Sequence, residues 1–200
     1  MATGRSTQLT RQIGEHFVAS ELGRKDIIAT PFAGNVPHFD LLASTQDGRT
    51  FPVQVKAING PSWQFNAASF LNIKIEDNFQ TVLGPREDLD RSIACVLILL
   101  KETGKDDVYT LLLSELQDLL LKHYKGGNRP KNPQSTHCAL WPKHLAGFEG
   151  WEKLLQRARG EANHFINTTI FPNGSHILTI QATDNLGLVS SASVTVKFFN

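Results

Sequence analysis

The chain has 200 residues, 40% of them apolar and 20% charged, a balance that suits one compact α/β domain with room for a small appendage. A formal net charge of +1 removes the global basicity of many polyanion binders and leaves only a local basic rim for such a role. The longest apolar stretch, Ile93–Leu100, is far too short to cross a bilayer, and no hydrophobic signal core opens the chain.

Leu9, Ile13 and Phe17 recur at four-residue spacing among good helix formers, which predicts a helix over Leu9–Leu22 stopped by Gly23. Strands are expected at Asp26–Thr30, Phe39–Ser44 and Phe51–Ile58, the last two joined through the Asp47-Gly48 turn. Shorter strands are expected around Trp63–Phe65 and Phe70–Ile75. Ser92–Leu100 is a continuous apolar run, as a strand buried on both faces requires. Val108–Leu113 reads as its neighbour, after which Ser114 is expected to cap a helix over Glu115–His123. Lys125–Pro133 is a basic loop rich in breakers, and Trp151–Arg159 a short final helix. The expected fold is therefore α/β, a mixed β-sheet flanked by helices.

Composition changes sharply near Gly160–Asn163. Beyond it only Asp184 and Lys197 are charged, and two alternating runs, His176–Thr183 and Ser191–Phe198, flank the turn residues Asp184–Gly187. This predicts a body over residues 1–162 and a β-hairpin tail over residues 163–200. The tail resembles the closing strands of bacterial immunoglobulin-like or PKD-like repeats, which leaves a surface or adhesion fragment as a third functional reading. Cys95 lies inside the apolar run and Cys138 is far from it, a pattern that suits two free thiols in a reducing cytoplasm.

Chemistry concentrates between the second and third strands. Alternation along Val53-Gln54-Val55-Lys56-Ala57 turns the three apolar side chains one way and Gln54 with Lys56 the other. The Asp-Gly turn brings Asp40 to the same edge. A carboxylate, a second side-chain oxygen and the Val55 carbonyl are oxygen donors for a hard cation, and a lysine beside them suits phosphodiester hydrolysis. The plainer alternatives are a strand-end carboxylate for Asp40, an edge strand's solvated face for Gln54 and Lys56, and an exposed helix position for Glu15.

The pattern Asp40…Gln54-Val55-Lys56, after a helix reading Gly14-Glu15-His16-Phe17-Val18-Ala19-Ser20-Glu21-Leu22, resembles the PD-(D/E)xK, restriction-endonuclease-like nucleases. It is also similar to the Holliday-junction-resolvase branch of that superfamily and to small bacterial nuclease-like domains, over roughly residues 10–122. The resemblance implies Mg²⁺ (or Mn²⁺) held by Asp40 and Gln54, a nucleophile attended by Lys56, and support from Glu15. It further implies DNA as substrate and, by analogy with relatives that cut both strands, a homodimer. Two positions depart from the pattern: Gln54 stands where most members carry an acid, and Phe39 where they carry Pro. A neutral amide weakens the hold on a cation, so a DNA-binding module that no longer cuts is the alternative function. Lys122, Lys125, Arg129 and Lys131 are candidate phosphate contacts, with a solvated loop as the plainer reading, and Trp63, with Phe65, is a candidate for stacking an unpaired base, with core packing as the plainer reading.

Overall fold

In a computed structural model, the structure describes residues 4–32, 39–77, 79–125, 132, 134–160, 174–183 and 189–198. The chain divides into two compact units, Met1–Ala162 and Asn163–Asn200.

The first unit opens with helix α1 (Gly4–Gly23), which starts well before the Leu9 that the periodicity predicted. Strands β1 (Ile27–Pro31), β2 (Leu41–Thr45) and β3 (Thr50–Ile58) follow as an antiparallel meander. The β2–β3 connection is a tight loop whose Gly48 adopts φ +84°, the left-handed conformation for which glycine is suited. Its closing bond runs from Thr45 N–H to the Arg49 carbonyl at 2.9 Å.

Next come β4 (Trp63–Asn66), β5 (Leu71–Glu76) and β6 (Phe79–Pro85), then β7 (Ala94–Leu99), which pairs parallel with β3. A parallel pair needs a long crossover, and β4 to β6 supply it where a helix is the commoner solution. β8 (Asp107–Leu112) returns antiparallel to β7 and leads into helix α2 (Leu113–Lys125). β9 (His137–Leu140) pairs with β4, and helix α3 (Glu152–Ala158) ends the described part of this unit. The five-stranded sheet has the order β1-β2-β3-β7-β8. It is a mixed sheet flanked by helices.

The sheet sorts its residues by the two-residue period of a strand. Ala94, Val96 and Ile98 of β7 join Val53, Val55, Leu41 and Ala43 against Val18 and Leu22 of α1 and Leu154 and Ala158 of α3. Cys95 and Leu97 point to the opposite core, with Trp63, Phe65, Leu111, Leu116 and Leu120. β7 is thus covered on both faces, as its unbroken apolar run requires. Both cysteines are free and buried, and burial pushes the Cys95 thiol up to about 12, which keeps it an inert apolar filler.

One local expectation is corrected, and two strands were not foreseen. Ser114 does not cap α2, because the helix already begins at Leu113; the Glu115 carboxylate instead accepts the Leu112 N–H at 2.8 Å. β6 and β9 were not legible, since one ends on Gly84-Pro85 and the other is four residues long. Their reason is a partner strand: β6 for β5, and β9 for β4.

Among the described residues no helix is long and apolar enough to cross a membrane. In the second unit, β10 (Gly174–Thr183) and β11 (Val189–Phe198) pair antiparallel along their full length, from Gly174 with Phe198 to Thr183 with Val189.

Candidate active site

The site forms where the sheet splits. β2 stops pairing at Leu41, opposite Val53, and the last backbone bond on that edge runs from Asp40 N–H to the Val53 carbonyl at 2.9 Å. Val55 faces the same edge, where among the described residues no strand meets it. Its N–H is taken by the Asp40 side chain, Oδ2 at 2.8 Å, and its carbonyl receives a long 3.4 Å contact from Gln54 Nε2. Gln54 Nε2 also donates to Asp40 Oδ2. Asp40 Oδ2 and the Val55 carbonyl therefore converge on one amide nitrogen.

Helix α1 supplies the second carboxylate. Gly14 lets the helix lie directly on β3, for a Cβ there would meet the Ala57 Cβ at 2.4 Å. That approach turns Glu15 inward, with a side chain only 9% exposed against 10% for Asp40. Two carboxylates so poorly hydrated need a positive partner. The Arg11 guanidinium provides it, with Nε 2.6 Å from Glu15 Oε1 and Nη2 3.3 Å from Asp40 Oδ1. Arg11 was missed in the sequence, although its four-residue spacing to Glu15 is the signal of a helical ion pair.

Lys56 lies on the opposite face of β3 from Val55, with Nζ 4.7 Å from the centre of the Phe65 ring. Burial pushes its ammonium below the ordinary lysine value, while the charge of Asp40 acts the other way. Asp40 is thus near enough to be felt electrostatically. Asp40, Gln54 and the Val55 carbonyl meet directly, Glu15 joins them through Arg11, and Lys56 is linked to Asp40 by its charge.

Trp63 is corrected. It is 0% exposed, its indole N–H donates to the Lys56 carbonyl at 2.8 Å, and it meets Tyr109 edge-on at 5.7 Å. Base stacking is closed to a ring held this way; Trp63 instead fixes the backbone that carries Lys56. Among the basic candidates, Lys122 is exposed near the end of α2. The Lys125 side chain, Arg129 and Lys131 lie outside the described residues.

Beside Lys122, His123 and His144 stack face to face with ring centres 3.7 Å apart and planes 7° from parallel. Partial burial, then the charges of Lys122 and Lys143, lower the pKa of His123; for His144, burial is followed by His123 and the same lysines. Their unfolded-state value is 6.5, so around and below it the unfolded chain binds more protons than the native one and stability decreases as the pH is lowered. Replacing His144 with Gln is therefore expected to flatten the decline of the urea midpoint between about pH 7 and pH 5. Solvent screening keeps the effect small, and an unchanged slope would remove the pair as its source.

The donor set itself suits a hard divalent cation. Gln54 Nε2 fills a point that Asp40 Oδ2 and the Val55 carbonyl share, and an amide turned end for end would present Oε1 there as a third oxygen. Among the described residues no three of His, Cys, Asp and Glu gather as metal ligands.

No family model and no curated protein matches the chain. Among solved structures, a bacterial homing endonuclease, I-Ssp6803I, is similar with a TM-score of 0.45 and 13% identity, over 78% of this chain and 97% of that one.

Proposed function

We propose that this protein is a metal-dependent DNA endonuclease of the PD-(D/E)xK type, using Mg²⁺ or Mn²⁺, with its chemistry at the split between β2 and β3. The observation that carries this reading is the convergence of the Asp40 carboxylate, the Gln54 amide and the Val55 carbonyl, which β2 does not reach, beside a partly buried lysine. When bound, the cation polarises a phosphoryl oxygen and lowers the pKa of a water. Asp40 and Gln54, with the Val55 carbonyl, hold it. Glu15 accepts a hydrogen bond from an incoming water or lends a further oxygen. Lys56, its ammonium over the Phe65 ring, supplies positive charge against the charge that grows on the phosphate during attack. Exposed basic residues, Lys122 among them, steer the DNA backbone. Cutting both strands takes two such centres, which a homodimer supplies.

The test is incubation of supercoiled and branched DNA with Mg²⁺ or Mn²⁺, comparing the natural protein with Lys56→Ala. Metal-dependent nicking that the variant lacks supports the enzyme; equal nicking by both overturns the role of Lys56. Gln54→Glu adds a negative charge to the donor set and is expected to tighten Mn²⁺ binding by about tenfold, read by calorimetry. An unchanged affinity would remove Gln54 from the donors. The neutral amide at this position favours one other reading, a nuclease-derived module that binds DNA without cutting it. Retarded migration of DNA with no cleavage under either metal would select that reading.

A further inference from the structure

Arg11 occupies a position that the proposed mechanism does not use. One guanidinium reaches both buried carboxylates, Glu15 through Nε and Asp40 through Nη2, and these are the acidic groups of the candidate site. The carboxylates are about one-tenth exposed, whereas the Arg11 side chain is 48% exposed. The acids are fixed by the sheet and by the helix above it; the cation between them reaches in from the surface.

We infer that Arg11 is a charge placeholder that competes with the divalent cation for Asp40 and Glu15 and so sets the affinity of the site for metal. The inference rests on the metal-binding reading above. Positive charge is needed beside these carboxylates because water reaches them poorly, and a guanidinium and a divalent ion are alternative ways to supply it. Loading the metal costs Arg11 its contacts with Glu15 and Asp40, and the guanidinium, already half in water, turns outward to accommodate it. The geometry makes the exchange local. Arg11 leaves without disturbing the Asp40 bond to Val55 N–H, because that bond uses Oδ2 and Arg11 uses Oδ1. The placeholder keeps the acids paired until a metal arrives, and raises the free metal concentration at which the site fills.

Mn²⁺ binding by calorimetry and thermal midpoints with EDTA or Mn²⁺ test this on the whole chain, for the natural protein, Arg11→Gln, Arg11→Lys and Asp40→Asn. Arg11→Gln is expected to bind Mn²⁺ about threefold to tenfold more tightly, with Arg11→Lys between it and the natural protein. In EDTA the Gln variant melts lower, and Mn²⁺ restores more of its midpoint than the same ion adds to the natural protein. A merely structural Arg11 would lower both midpoints equally. If the variants bind Mn²⁺ no more tightly while Asp40→Asn still abolishes binding, the placeholder role is overturned and the metal reading stands. Should no protein show Asp40-dependent binding, both fall together.

Discussion

Asp40→Asn is expected to reduce metal-dependent DNA cleavage by at least a factor of about a hundred while leaving the fold in place. The substitution is nearly isosteric, so the side chain still accepts the Val55 N–H through its carbonyl oxygen, and the edge of β3 stays capped. What disappears is the charge. With Gln54 already neutral, Asp40 is the one formal negative charge among the three donors that converge at the split, and its loss leaves only neutral oxygens for the cation. Arg11 also loses its Asp40 partner, but an exposed guanidinium recovers water, so the cost in stability is only about 1 kcal/mol. The measurement is a pair: nicking rate under Mg²⁺ and the urea midpoint. Wild-type cleavage by the variant would end the assignment of Asp40 to metal. Lost cleavage together with a collapsed midpoint would mean that the fold had been tested instead of the chemistry.

The second large effect lies outside the donor set. Gly14→Ala is expected to destabilise the protein by about 1–3 kcal/mol, although the same change in an unencumbered helix stabilises by about 1 kcal/mol. The new methyl would stand 2.4 Å from the Ala57 Cβ, far inside contact distance, and neither atom can rotate away because each is fixed to its backbone. Helix α1 must then lift from β3. It carries both Arg11 and Glu15, so cleavage should weaken with every donor on β3 intact. Ala57→Gly removes the opposing methyl, and the double variant should recover much of the loss, less the cost of a glycine within a strand. Urea midpoints for the four proteins form a cycle whose coupling reports the contact. Simple addition of the two single effects would show that the helix does not rest on Ala57.

Much of this architecture was legible before any coordinates. The Asp-Gly turn, the alternation through Val53–Ala57 and the unbroken apolar run of β7 each state a local rule, and local rules act over the few residues that satisfy them. What escaped was non-local. Ser114 has the right chemistry for a cap, but β8 runs straight into α2, so the helix starts one residue earlier and Glu115 reaches back in its place. Trp63 has the composition of a stacking platform and the burial of a core residue, and nothing in four residues of sequence separates the two.

The residue types of the site were determined by the sequence: an acid, an amide and a lysine at spacings that a hairpin can bring together. Only the tertiary structure decided that β2 would end opposite Val53, leaving the Val55 carbonyl without a strand and the Asp40 carboxylate to close the gap. It alone joined Arg11 to Asp40, across a separation that no helical or strand period spans. The reason is physical. Periodicity fixes which way a side chain points, while the distance between charges on different elements is set by how closely those elements pack, here through a glycine resting on an alanine.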